Sequence, residues 1–119
     1  MRFRAAALAA ALCLAAPLAA LADQSDAFRP TNGGTVNLAV TSSSGNVAVQ
    51  TNGQVRIYDS GSVAAFCKFG TGAGLTATTT ADIPIAPGSV EVMTATGDHI
   101  ACITATGTAT VYFTPGVGL

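Results

Sequence analysis

Apolar and polar residues alternate along most of the chain from residue 35 onward. Val36, Leu38 and Val40 share one face of the first alternating segment, and Val55 and Ile57 share one face of a later segment. A repeat of two residues is typical of half-buried antiparallel strands. No segment after residue 22 shows a convincing helical repeat. Further alternating segments begin near residues 47, 63, 83, 90, 99 and 108.

This spacing predicts an all-β fold. About seven or eight short strands in so short a chain indicate a single small antiparallel β-sandwich, which we place over residues 35–119. The alternation does not choose between a jelly-roll-like and an immunoglobulin-like topology. Residues 23–34 end in Asn32-Gly33-Gly34 and are predicted as a polar lead-in to the domain.

The N-terminal segment has a different composition from the rest of the chain. Two arginines lie within the first four residues, residues 5–21 are apolar, and small residues end at Ala22, before Asp23. This arrangement is typical of a secretory signal peptide. We therefore predict a signal peptide over residues 1–22, with cleavage between Ala22 and Asp23. The mature chain is then expected to be periplasmic or extracellular, without a stable membrane anchor.

The charge of the mature chain excludes one class of function. Three basic residues, Arg29, Arg56 and Lys68, face six acidic ones, which gives a net charge near −3. Nucleic-acid binding depends on a basic surface that neutralises phosphates. The mature chain has no such cluster in its sequence, so we predict no nucleic-acid partner.

Two cysteines remain after cleavage, Cys67 and Cys102. An oxidising compartment would permit a disulfide between them, but the strand pattern leaves the pairing open. If the last two strands form a hairpin, a three-residue loop at 105–107 turns Ile103 inward. A two-residue loop instead turns Cys102 inward, toward Cys67.

An earlier hairpin is predicted more firmly. A three-residue loop at 51–53 pairs Val49 with Val55 and Val47 with Ile57. We prefer this register because a slip of one residue would turn the apolar residues of one strand to solvent.

Residues with catalytic or ligand-binding chemistry are few. His99 is the only histidine, and the neighbouring Asp98 is expected on the opposite face of the strand, so we interpret His99 as an exposed residue at a strand start. The glycine-rich segment 70–74 is not followed by a helical pattern, as a phosphate-binding loop requires. The scattered His, Cys and acidic residues predict no metal site, cofactor site or catalytic group. We predict that the protein is not an enzyme.

Several segments that together cover about half of the chain carry a family resemblance. They are Val55-Arg56-Ile57-Tyr58, Ala65-Phe66-Cys67-Lys68-Phe69-Gly70, residues 81–88 with Val90-Glu91-Val92, and His99-Ile100-Ala101 leading to residues 107–113. These segments resemble small β-sandwich proteins encoded in the structural-gene regions of tailed bacteriophages and prophages. The resemblance implies a non-catalytic accessory role on a virion, such as decoration of a head or tail, and carries no functional residues over. A signal peptide is unexpected in such a protein, because virions assemble in the cytoplasm, and the two cysteines also depart from the pattern.

Two functions are therefore expected. The first is an exported, non-enzymatic structural or interaction module that self-associates or coats a larger assembly, with a protein partner or a second copy as its ligand. The alternative is a periplasmic or secreted domain that recognises a glycan or a cell surface. Tyr58 and Tyr112 are the only tyrosines, and tryptophan is absent, so an aromatic platform for sugars is poorly supplied.

Overall fold

The computed structural model of the protein describes residues 27–51 and 53–118, which form nine β-strands. Within these ranges no helix is long and apolar enough to cross a membrane. The predicted signal peptide and its cleavage site lie outside the described residues. The strands are β1 (Arg29–Pro30), β2 (Val36–Val40), β3 (Gly45–Ala48), β4 (Gln54–Asp59), β5 (Ala65–Gly70), β6 (Ile83–Ile85), β7 (Val90–Thr94), β8 (His99–Thr104) and β9 (Ala109–Val117).

The strands form two antiparallel sheets. Sheet A contains β1, β9, β4 and β7 in that order, with β2 also paired to β9, and sheet B has the order β3-β8-β5-β6. This arrangement confirms the prediction of a small all-β sandwich. The long strand β9 organises sheet A, because it pairs with β4 along one side and with both β2 and β1 along the other. The predicted lead-in thus supplies β1.

Both predicted hairpins are wrong, because each connection crosses from one sheet to the other. Val47 of β3 pairs with Ile100 in sheet B, whereas Val55 of β4 pairs with Met93 and Pro115 in sheet A. In the same way, β8 belongs to sheet B and β9 to sheet A. Alternation indicates which side of a strand is buried, but it does not identify the neighbouring strand.

The core lies between the two sheets. Most of the strands contribute alternate residues to it, and burial of one such aliphatic or aromatic side chain contributes about 1.5–3 kcal/mol to the free energy of unfolding. The largest fully buried apolar side chains are Val40, Val55, Ile57, Ile85, Ile100, Val111 and Phe113.

A disulfide joins the two central strands of sheet B. Cys67 of β5 and Cys102 of β8 lie directly opposite each other, with a Cα–Cα distance of 4.1 Å and an S–S distance of 2.07 Å. Both side chains are buried in the core. The pairing that the sequence left open is therefore a cross-strand bond, set by the β5–β8 register rather than by a β8–β9 hairpin.

Strand β7 differs from its predicted orientation. The alternation implies that Val90 and Val92 face the core, but the register aligns Val90 with Tyr58 and Val92 with Arg56, on the outer face of sheet A. Val90 is 46% exposed. Glu91 is exposed as expected, although it is aligned with the buried Ile57. In the strand order β7 has only β4 beside it. The Glu91 side chain can therefore reach water at the edge of the sheet, although it occupies an inward-facing position of the strand.

Candidate functional site

The outer face of sheet A brings two tyrosines and an arginine close together. Burial of Val55 and Ile57 turns Arg56 and Tyr58 outward from β4. Burial of the apolar positions of β9 likewise turns Tyr112 outward, since neighbouring strand residues point to opposite faces. We use the name tyrosine platform for the surface that lines a shallow concavity on this face, which consists of Thr35, Arg56, Tyr58, Ser60, Tyr112 and Thr114.

The two tyrosines form the centre of the platform. Tyr58 and Tyr112 are direct cross-strand partners, and their rings stack with centroids 6.2 Å apart and an interplanar angle of 22°. This spacing lies in the range of favourable aromatic pairs. Tyr112 is 38% exposed, so the pair presents aromatic surface to a ligand.

Arg56 is the charged group of the platform. It lies opposite Thr114 of β9 and two residues from Tyr58 on the same face. Its half-buried side chain forms no ion pair, hydrogen bond or ring contact with residues 27–51 or 53–118. The acidic residues on β4 and on the neighbouring β7 occupy the inward-facing positions of their strands. Asp59 is buried, and Glu91 is aligned with the inward-facing Ile57. The guanidinium therefore faces outward without a protein carboxylate.

Hydroxyl groups complete the platform. Thr35 Oγ1 and Thr114 Oγ1 lie 2.8 Å apart in a hydrogen bond, and Ser60 Oγ donates to the Thr110 carbonyl oxygen at 2.8 Å. The concavity has a volume of about 460 Å³. Its shallow shape and mixture of aromatic, cationic and hydroxyl groups suit a flat, polar ligand.

A second concavity of about 460 Å³ lies near the turn after β4, between Thr41, Ser62 and Thr108. Small side chains line it, without an aromatic or charged group. The adjacent Asp59 is buried, and its Oδ1 accepts a hydrogen bond from the Gly61 backbone N–H at 2.8 Å. Its Oδ2 has no hydrogen-bond partner in the described part of the chain. This carboxylate shapes the turn, and the surface beside it offers a ligand little specific chemistry.

The prediction that Asp98 and His99 point to opposite faces is wrong. His99 Nδ1 and Asp98 Oδ1 lie 2.8 Å apart and are hydrogen-bonded. Alternation does not apply to this pair, because β8 begins at His99 and Asp98 belongs to the preceding bend. The histidine is at the strand start as predicted, but its side chain is only 18% exposed, against 64% for Asp98.

Asp98 also holds the glycine-rich loop. Its Oδ1 accepts a hydrogen bond from the Gly72 backbone N–H at 3.0 Å, and its backbone N–H donates to the Gly70 carbonyl oxygen. The hydrogen bonds from His99 and Gly72 lower the pKa of the Asp98 carboxyl below its ordinary value. These contacts connect the loop to the start of β8, which is a structural role.

The same loop partly covers the outer face of sheet B. Asn46 Nδ2 donates to the carbonyl oxygens of Ala73 at 2.8 Å and Leu75 at 3.2 Å. Ala101 lies in register with Asn46 and Lys68 on that face, yet it is fully buried. Sheet B is thus shielded in part by its own chain, whereas the tyrosine platform on sheet A is open.

Comparisons with known protein families, curated proteins and solved structures find no match for this chain. Within residues 27–51 and 53–118, no group of three or more His, Cys, Asp or Glu side chains could hold a metal ion.

The sequence identified Tyr58 and Tyr112 as candidate aromatic residues but did not predict that they are neighbours. The available signal was that both tyrosines occupy the outward phase of their strands.

Proposed function

We propose that this protein is an exported, non-enzymatic interaction module whose binding surface is the tyrosine platform. The observation that carries the proposal is the stacked Tyr58–Tyr112 pair beside Arg56, a cation that has no ion pair or hydrogen bond within the described part of the chain. Aromatic residues and arginine are the groups most enriched where proteins bind their partners. A half-buried arginine that the described residues leave unpaired is suited to an external acceptor.

Export is supported by two independent features. The N-terminal segment has the composition of a signal peptide, and the Cys67–Cys102 bond is of the kind that persists in oxidising compartments. We place the mature protein in the periplasm or outside the cell. The bond also ties the two central strands of sheet B, which suits a small domain that must remain folded outside the cell.

A non-catalytic role is supported by how the reactive groups are used. Asp98 and His99 are hydrogen-bonded to each other, and Asp98 also binds the loop at Gly72. No Ser, Thr or Cys side chain hydrogen-bonds to His99 among the described residues, whereas a histidine that activates a nucleophile as its general base makes such a contact. A structural role for Asp98 and His99, in which they hold the glycine-rich loop, explains these hydrogen bonds.

A second form of the proposal is a subunit that coats a larger assembly, in line with the resemblance to phage accessory proteins. The observation that favours it is strand β7, which has only β4 beside it in the strand order of sheet A and carries the exposed Val90. An edge strand with unpaired backbone groups can add to another sheet. In that case the assembly would form through the edge of sheet A rather than through its face.

Light scattering and a surface-binding assay test the proposal together. The chain without the predicted signal peptide is purified with its disulfide intact, its mass is measured across a concentration series, and its retention on whole cells is quantified. We expect the Tyr58→Ala/Tyr112→Ala double variant to lose retention. Lys68→Ala, on the outer face of sheet B, is the matched control and should retain it. Retention that survives in the double variant, or no retention and no assembly in the parent, would contradict the proposal.

A further inference from the structure

We propose that the tyrosine platform binds a carboxylated carbohydrate, such as a chain of uronic acid residues. This inference rests on the proposed function and names the class of ligand for the same surface. It follows from three properties of the platform: a guanidinium that residues 27–51 and 53–118 leave unpaired, a stacked aromatic pair and a set of hydroxyl groups.

The guanidinium points to a carboxylate. Arg56 presents a planar fork of donors that matches the two oxygens of a carboxylate, and such charge-assisted pairs are stronger than neutral hydrogen bonds. The outward positions aligned with Arg56 are Thr114 and Val92, which are both uncharged. A ligand carboxylate would therefore meet attraction at Arg56 and no repulsion from its aligned neighbours.

The aromatic pair points to a sugar ring. A tyrosine ring offers a flat apolar face with a polar hydroxyl at its edge, so it can pack on the C–H face of a sugar and still contact its hydroxyl groups. The cross-strand pairing of Tyr58 with Tyr112 supports both rings from below with the central strands of sheet A. The hydroxyls of Thr35 and Thr114, which now bond to each other, offer donors and acceptors beside the rings.

The same geometry argues against a second copy on this face. In a symmetric dimer each side contributes the same surface, so two platforms would bring two Arg56 side chains together with no platform carboxylate to receive them. A peptide partner is also less suited. Extended peptides bind mainly through the backbone groups of an edge strand, whereas the platform lies on the central strands β4 and β9.

Isothermal titration calorimetry with two matched oligosaccharides tests the inference. The probes are α-(1→4)-linked tetragalacturonate and the neutral α-(1→4)-linked galactose tetramer, which share length, linkage and ring stereochemistry. We expect the acidic tetramer to bind at least about tenfold more tightly. Arg56→Gln should weaken binding of the acidic tetramer roughly 10- to 150-fold, which is the loss of affinity expected when a hydrogen bond to a charged group is removed. Binding of the neutral tetramer should be unchanged.

Two further variants separate ring contacts from charge. Tyr112→Phe keeps the ring and should retain most of the affinity, whereas Tyr112→Ala should weaken both tetramers. Lys68→Gln removes a cation from sheet B and should have no effect. Calorimetric melting of each variant verifies that it is folded.

Three outcomes would overturn the inference: equal affinity for the two tetramers, an unchanged affinity in Arg56→Gln, or a loss in Lys68→Gln as large as that in Arg56→Gln. If neither tetramer binds while whole-cell retention still depends on the two tyrosines, the ligand class is wrong but the proposed function stands. If retention is also independent of the platform, both are wrong.

Discussion

The Cys67–Cys102 bond gives a quantitative prediction for stability. The bond closes a loop with a sequence separation of 35 residues. In the chain-entropy description, a loop of this length restricts the unfolded chain enough to stabilise the fold by about 4 kcal/mol. The replacement of both cysteines by alanine should therefore lower the free energy of unfolding by about 4 kcal/mol. For a domain of this size that corresponds to a fall in melting temperature of about 15–30 °C.

Differential scanning calorimetry of the parent and of the Cys67→Ala/Cys102→Ala variant measures the effect. A reducing agent serves as the internal control, because it should lower the melting temperature of the parent toward that of the variant and leave the variant unchanged. Both sulfur atoms are buried, so a small additional loss from the removed packing is expected. A variant within about 1 kcal/mol of the parent would refute the view that the loop closure stabilises this fold.

Four other substitutions test three local features. Gly97 has a φ of +83°, and an added Cβ would lie 2.0 Å from the Gly70 carbonyl oxygen, whereas Gly72 has a φ of +89° and open space around it. Gly97→Ala should therefore cost more than Gly72→Ala, which carries only the backbone strain of about 1–2 kcal/mol; equal losses in urea melts would contradict the close approach. Asp98→Asn should be less stable than the parent above about pH 4. The pKa of the Asp98 carboxyl is lowered in the folded state, so the ionised carboxyl stabilises the fold at pH values above its ordinary pKa of 3.8. This stabilisation is lost as the pH falls through the pKa of the folded state. A difference between the two melting curves that persists unchanged at lower pH would argue against this linkage. Asn46→Ala removes two hydrogen bonds to the glycine-rich loop and should accelerate amide exchange there, as measured by mass spectrometry; unchanged protection would mean that other contacts hold the loop.

The strands of this protein were predictable, whereas their partners were not. Alternation at Val36, Leu38 and Val40 or at Val55 and Ile57 depends on local burial, and each of these segments is a strand in the structure. Pairing depends on where each connection leads. The connections between β3 and β4 and between β8 and β9 cross between sheets, and nothing in the loops at 49–53 and 105–108 distinguishes a crossing from a hairpin.

Because strand partners could not be predicted, two contacts between side chains could not be predicted either. Cys67 and Cys102 meet because β5 pairs with β8, a contact between strands that are not consecutive. Tyr58 and Tyr112 meet for the same kind of reason, through β4 and β9. The Asp98–His99 contact was missed for a local reason, since the rule for opposite faces fails at the first residue of a strand.

Nuclear magnetic resonance directly tests whether the tyrosine platform is the surface where this protein contacts its ligand. The ¹⁵N-labelled chain without the predicted signal peptide is titrated with tetragalacturonate and, separately, diluted across a wide concentration range. We expect the tetramer to perturb the amides of residues 56–58 and 112–114 and to leave those of Lys68 and Ala101, on the outer face of sheet B, unchanged. A dilution series that moves only the amides of β7 would indicate assembly through the edge of sheet A. Perturbations confined to sheet B in the titration would contradict the assignment of the platform as the binding surface.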